Sequence, residues 1–203
     1  MFLTRVKLNP KRRKTRALLD NRHVGHALVE SCTAGSQRTL WRIGRVERDV
    51  VELFMYTQVK PSVHPLVEQC GWPEQMADTV RVGEVTRTLD DIKAGNTFRF
   101  SVQVSPQKRN GSVARSLTSD ADVRQWFSDR EKGWGFSTGG GFKLPVLGRE
   151  NYQKPNAKKL SFAAAEVTGV LTVTDPDTFR DAVQGGLGRT KHAGFGMLLL
   201  APA

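Results

Sequence analysis

With 203 residues, 38% of them apolar, the chain is long enough to bury a real core as one large domain or two small ones, which excludes a disordered tail and a disulfide-stapled miniprotein. Its 31 lysines and arginines outnumber 20 acids for a formal net charge of +11, the electrostatic footprint of a protein that meets polyphosphate. No apolar stretch approaches the roughly 20 residues of a bilayer crossing, and the amino terminus lacks the apolar core of a secretion signal, so a soluble, cytoplasmic protein without membrane contact is expected.

The chain opens on a strand, Phe2 to Leu8, in which Phe2, Val6 and Leu8 alternate with Leu3, Arg5 and Lys7. One face of a sheet therefore carries charge, and Arg5 becomes a candidate contact to an anion. The cations that follow, up to Arg16, read either as a solvated arm or as part of that surface. A helix is predicted from Arg22 to about Cys32, capped by Asn21, with Val24, Leu28 and Cys32 turned inward. Strand patterns follow at Thr39 to Ile43 and Val50 to Val59, then a helix after Ser62 that stops near Gly71. The alternating run Phe98 to Val104 is a half-buried strand and closes a first unit, residues 1–106. The only two cysteines, Cys32 and Cys70, stand in no metal-binding spacing and read as core fillers of a reducing compartment.

Residues 113–203 repeat the plan. Ser119 caps a helix with Val123, Trp126 and Phe127 at core spacing, and a glycine-rich loop, Gly133 to Gly141, precedes a strand at Phe142 to Leu147. Arg149 to Lys159 carries a Pro155-Asn156 turn flanked by basic residues and reads as a hairpin tip. Leu160 to Thr174 is strand-like, and Asp175-Pro176-Asp177 opens a helix with Phe179, Ala182 and Val183 facing in. A glycine-rich segment, GGLGRTKHAGFG over residues 185–196, leads to a final strand. Two tandem ferredoxin-like, RRM-like domains of the α+β class, with antiparallel sheets, are the most economical assembly of these elements.

Two places carry chemistry. Gly186 and Gly188 beside Arg189, Lys191 and His192 would expose backbone amides among cations, a cradle for phosphate oxygens. The segment lacks the Lys-Ser/Thr ending of a nucleotide-hydrolysing loop, which leaves a nucleic-acid backbone as the better ligand and simple turns before a buried strand as the competing reading. In the first helix His23, His26 and Glu30 share one edge, and imidazole moves protons near neutral pH. RNA needs little else, since its own 2′-hydroxyl is the nucleophile. The same trio also reads as a solvated helix edge or as ligands for a divalent metal.

The opening MFLTRVKLNP, His26 in the first helix, the basic hairpin and the close GLGRTKHAGFGMLLLAP together resemble the CRISPR repeat-processing endoribonucleases of the type I-E system, the CasE group of the RAMP superfamily. The likeness spans essentially the whole chain and is most specific in the terminal pattern of Gly186, Gly188, Lys191, Gly194 and Gly196. It implies two ferredoxin-like domains and an enzyme that cuts precursor CRISPR RNA at the 3′ base of each repeat stem-loop. It further implies metal-independent attack by the 2′-hydroxyl, a 2′,3′-cyclic phosphate end, no cofactor, and retention of the mature crRNA within the Cascade complex alongside its other subunits. His26 falls on the family's catalytic histidine. His23 stands where some relatives carry tyrosine, and a helper role is expected of it. Arg149, Lys154, Lys158 and Lys159 match the hairpin that grips the RNA stem, and the loop with Lys191 matches the backbone clamp beside the cut. The arginine-rich motif common after the fourth strand is reduced here to Ser101-Val102-Gln103-Val104-Ser105-Pro106. The alternative from another class is a non-catalytic stem-loop-binding subunit of a ribonucleoprotein.

Overall fold

The computed structural model describes residues 1–33, 39–110 and 113–203. They fall into two compact units, the first made of Met1–Arg87, Asn151–Leu160 and His192–Gly194, the second of Thr88–Glu150, Ser161–Lys191 and Phe195–Ala203.

The first unit runs β1 (Phe2–Leu8), α1 (Arg13–Asp20), α2 (Arg22–Glu30), β2 (Leu40–Val46), β3 (Val51–Thr57), α3 (His64–Cys70), α4 (Met76–Thr79) and β4 (Val80–Glu84). Its strands lie in the order β2-β3-β1-β4, every neighbour antiparallel, which is the ferredoxin-like arrangement with β1 and β3 inside. Val6 and Leu8 of β1, Leu53 and Met55 of β3, Leu18, Leu28, Leu66 and Val67 of the helices pack into one buried cluster. Cys32 and Cys70 sit in it as free thiols. The basic stretch after β1 is a helix: α1 buries Thr15 and Leu18, and the Thr15 hydroxyl donates to the Cys70 carbonyl at 3.0 Å. The surrounding cations hid that amphipathic spacing in the sequence.

After α5 (Thr86–Asp90) come β5 (Thr97–Val104), β6 (Gln107–Asn110), β7 (Val113–Ser116), α6 (Asp120–Glu131), β8 (Phe136–Ser137), β9 (Phe142–Tyr152), β10 (Leu160–Val173), α7 (Pro176–Gly185) and β11 (Leu198–Pro202). The second sheet has the order β11-β5-β10-β8, with β9 also pairing β10, so the strand order of the first unit recurs. Phe100 of β5 stacks on Phe127 of α6, ring centroids 6.1 Å apart, among Phe136, Phe142 and Trp134.

This corrects the domain boundary. The strand expected to close a first domain at residue 106 is β5, and it pairs with β10 and β11. The first unit's fourth strand is β4, and its first stretch of chain ends at Arg87. Residues 151–160 and 192–194, expected in a second domain 113–203, belong with the first unit. Period-two alternation tells which face of a strand is buried and nothing about its partner. Helix α2 is also two residues shorter than expected, ending at Glu30. Among the described residues no helix is long and apolar enough to cross a membrane.

Candidate active site

Asn21 fixes the start of α2. Its Oδ1 accepts from the His23 backbone amide at 3.0 Å, relieving one of the unpaired donors of a helix amino terminus. The same oxygen accepts from the Gln153 amide at 3.0 Å, while Nδ2 donates to the Gln153 carbonyl at 3.0 Å. The segment after β9 is thereby tied to the helix that carries His23 and His26.

Beneath that helix lies Trp41, 1% exposed. Its indole fills the space a side chain at Gly25 would need, and a Cβ on Gly194 would come within 3.0 Å of it. Gly194 also has φ +82°, a conformation that strains any other residue. Trp41 Nε1 donates to the His192 carbonyl at 3.1 Å, and the Arg22 guanidinium lies 5.9 Å from the indole centroid. One side chain thus seats the residue before His26 and the backbone of His192.

The result is a cluster of rings. His26 meets His192 edge-on with centroids 5.9 Å apart, His192 meets Tyr152 at 5.0 Å, and Tyr152 meets His23 at 5.3 Å. The Tyr152 hydroxyl is 3.3 Å from His23 Nδ1, and His26 Nε2 is 3.3 Å from Glu30 Oε1, an ion pair when that ring is protonated. The His26 side chain keeps 26% of its surface exposed, so a ligand can reach it from solvent. Desolvation, then the charges of His26 and Lys154, hold the His192 imidazole below its ordinary range. Burial and the Glu30 carboxylate push the Tyr152 phenol up, which keeps it a neutral hydroxyl.

Of the residues singled out in the sequence, His23, His26 and Lys154 come together in this cluster, and Lys158 and Lys159 are exposed in the loop between β9 and β10. Arg5 lies on β1, on the face away from Val6 and Leu8, 3.7 Å from the Glu52 carboxylate. Arg149 belongs to the second unit and is engaged by its own sheet, donating from Nε to the Ser161 hydroxyl at 2.9 Å and from Nη2 to the Ser161 carbonyl at 3.1 Å. Gly186, Gly188, Arg189 and Lys191 line a cavity of about 530 Å³ in the second unit, together with Trp126, Arg130 and Trp134. The trio His23, His26 and Glu30 does not converge: the first two rings are 6.5 Å apart and His23 Nδ1 faces Tyr152. Sequence reading missed Tyr152 and Trp41 and gave His192 no role beside His26. A tyrosine ending a strand and a tryptophan inside one carry no local signal of what they touch.

Fold and cluster define an α+β protein of two ferredoxin-like units whose first unit gathers His23 and His26 of α2 with Tyr152, Lys154 and His192 from other parts of the chain. A family model described as CRISPR associated protein matches residues 1–202, and the chain belongs to that family. It is 25% identical over 222 residues to the CRISPR-associated endoribonuclease Cse3 of Thermus thermophilus, covering 100% of both chains. Thermus thermophilus Cse3 bound to an RNA representing a pre-cleavage complex superposes with a TM-score of 0.80 at 23% identity, over 99% of this chain and 98% of that one. Cas6e from Escherichia coli does so with a TM-score of 0.64 at 17% identity over 100% of both.

Proposed function

We propose that the protein is a metal-independent endoribonuclease of the cytoplasm that cleaves precursor CRISPR RNA at the 3′ base of the repeat stem-loop. The 2′-hydroxyl attacks the adjoining phosphorus, its proton leaves to a base, the P–O5′ bond breaks, and the departing oxygen takes a proton. The products are a 2′,3′-cyclic phosphate and a free 5′-hydroxyl. His26 carries a proton in this step, with His23 beside it, and Lys154, Lys158, Lys159, Arg149 and Arg5 contact RNA phosphates. The loop with Gly186, Gly188, Arg189 and Lys191 holds the backbone. The stem-loop stays bound afterwards, and the protein then serves as a subunit of a Cascade assembly.

The observation that carries this reading is the placement of His26, open to solvent and edge-on to His192, which Tyr152 and Lys154 flank in turn, in a chain of this family. An imidazole and a cation beside a phosphodiester are what transesterification of RNA requires. The likeness to proteins named as CRISPR endoribonucleases, one solved with RNA, supports the substrate. Labelled repeat RNA incubated with the protein in EDTA tests it, the product ends being mapped. Cleavage at one bond with a cyclic phosphate end is expected. An intact, tightly bound strand overturns catalysis in favour of the stem-loop-binding reading, and cleavage that needs added Mg²⁺ overturns metal independence.

A further inference from the structure

We propose that His192 is a second catalytic imidazole, the base that takes the proton of the attacking 2′-hydroxyl while His26 gives one to the departing 5′-oxygen. The inference rests on the reading of the chain as an RNA-cleaving enzyme and adds to it a residue and a division of labour.

The geometry comes first. The rings of His26 and His192 stand 5.9 Å apart at 68°, an edge of one toward the other. A proton-transferring group works within about 2.6–3.2 Å of the oxygen it serves, so a single phosphodiester can touch both rings at once. In the displacement the entering and leaving oxygens take opposite sides of phosphorus, which calls for two proton carriers rather than one. The backbone of His192 is fixed by the Trp41 indole and by the left-handed turn at Gly194. A proton carrier that holds its place without substrate loses less entropy on reaction.

The surroundings then divide the roles. His192 faces the His26 ring from α2, the Tyr152 ring from the end of β9, and the Lys154 ammonium from the loop that follows; Lys191 precedes it in the chain. Burial and the two cationic neighbours oppose a charge on this ring, which keeps it ready to accept a proton. His26 instead has the Glu30 carboxylate 3.3 Å from Nε2, a partner for its charged form. In the forward step the 2′-oxygen forms its bond to phosphorus as its proton passes to His192, and the P–O5′ bond breaks as His26 releases a proton to O5′. No charge or electron is left over.

Single-turnover cleavage of repeat stem-loop RNA, by wild type, His26→Ala, His192→Ala and His192→Gln, tests the assignment with two substrates. One has the ordinary 5′-oxygen at the scissile bond and the other has sulfur there, a leaving group that departs without a proton. On ordinary RNA every variant should lose about 10²- to 10⁴-fold in rate at near-native stem-loop affinity. On the sulfur substrate His26→Ala should recover and the His192 variants should stay slow, and His192→Gln should lose the rising low-pH limb of the rate profile. His192→Gln keeps a polar group of similar size, so it reports on proton transfer even where alanine disturbs folding. Recovery of the His192 variants on sulfur, or their full activity on ordinary RNA, overturns the proposal. Wild-type protein that leaves both RNAs intact overturns instead the nuclease reading on which it stands.

Discussion

Asn21 and Gln153 are joined by a pair of hydrogen bonds, the side-chain amide of one donating to and accepting from the backbone of the other, each at 3.0 Å. Because Asn21 also caps α2, one side chain sets both the first turn of the histidine helix and the segment bearing Tyr152 and Lys154. Asn21→Ala removes the cap and both links. A loss of about 0.5–2 kcal/mol in urea unfolding is expected from the cap alone. RNA cleavage should fall with it, because Lys154 and Tyr152 lose their anchor, and a variant as stable and active as wild type would contradict this role.

Trp41 gives a second test, since Gly25 and Gly194 both leave room for its indole. Gly25→Ala forces the ring out of a filled site, and overpacking of this kind costs about 1–3 kcal/mol. Trp41→Phe keeps most of the apolar contact and deletes the bond to the His192 carbonyl, worth about 0.5–1.5 kcal/mol. Thermal unfolding should rank Gly25→Ala below Trp41→Phe and both below wild type; the reverse order contradicts the packing described.

The charge of Lys154 is one of the causes that hold His192 below the ordinary imidazole range, after burial and the His26 ring. Lys154→Met removes that repulsion, so the His192 titration followed by proton NMR should move to higher pH. The sign for stability follows from the same depression. The unfolded chain binds the proton more readily than the folded one, so the contribution of His192 is complete above the unfolded value of about 6.5 and is lost as pH falls through the lower folded value. Lys154→Met should narrow that window, and a midpoint that stays or drops would refute the coupling.

Burial pushes the Cys32 thiol up to about 11 and raises that of Cys70 as well. Thiolate is the reactive form, so at pH 8 neither should react with a disulfide reagent in the folded protein, while both should react within seconds to minutes in urea. Fast labelling of two thiols in the native state would place them outside the core.

Much of the fold is legible from spacing. Asn21 and Ser119 cap the helices they were expected to cap, a helix opens at Asp175-Pro176-Asp177 as expected, and the alternation of Phe98 to Val104 and the run from Leu160 mark β5 and β10 correctly as strands. What spacing withheld was partnership. Nothing within β5 says that it lies beside β10 and β11, and the short strands β4, β6 and β7 lack the length that makes a pattern readable. The site divides the same way. His23, His26 and Glu30 show their shared edge through helical periodicity, whereas His192 and Tyr152 reach His26 and His23 from more than a hundred residues away, a relation that exists only after folding.

The account turns on His26 moving a proton during RNA cleavage, and the most direct measurement compares wild type with His26→Ala on repeat stem-loop RNA in EDTA, following both single-turnover rate and binding. A rate lower by about 10²- to 10⁴-fold with stem-loop affinity nearly intact is the expected result. A variant that cuts the same bond at the wild-type rate would contradict it.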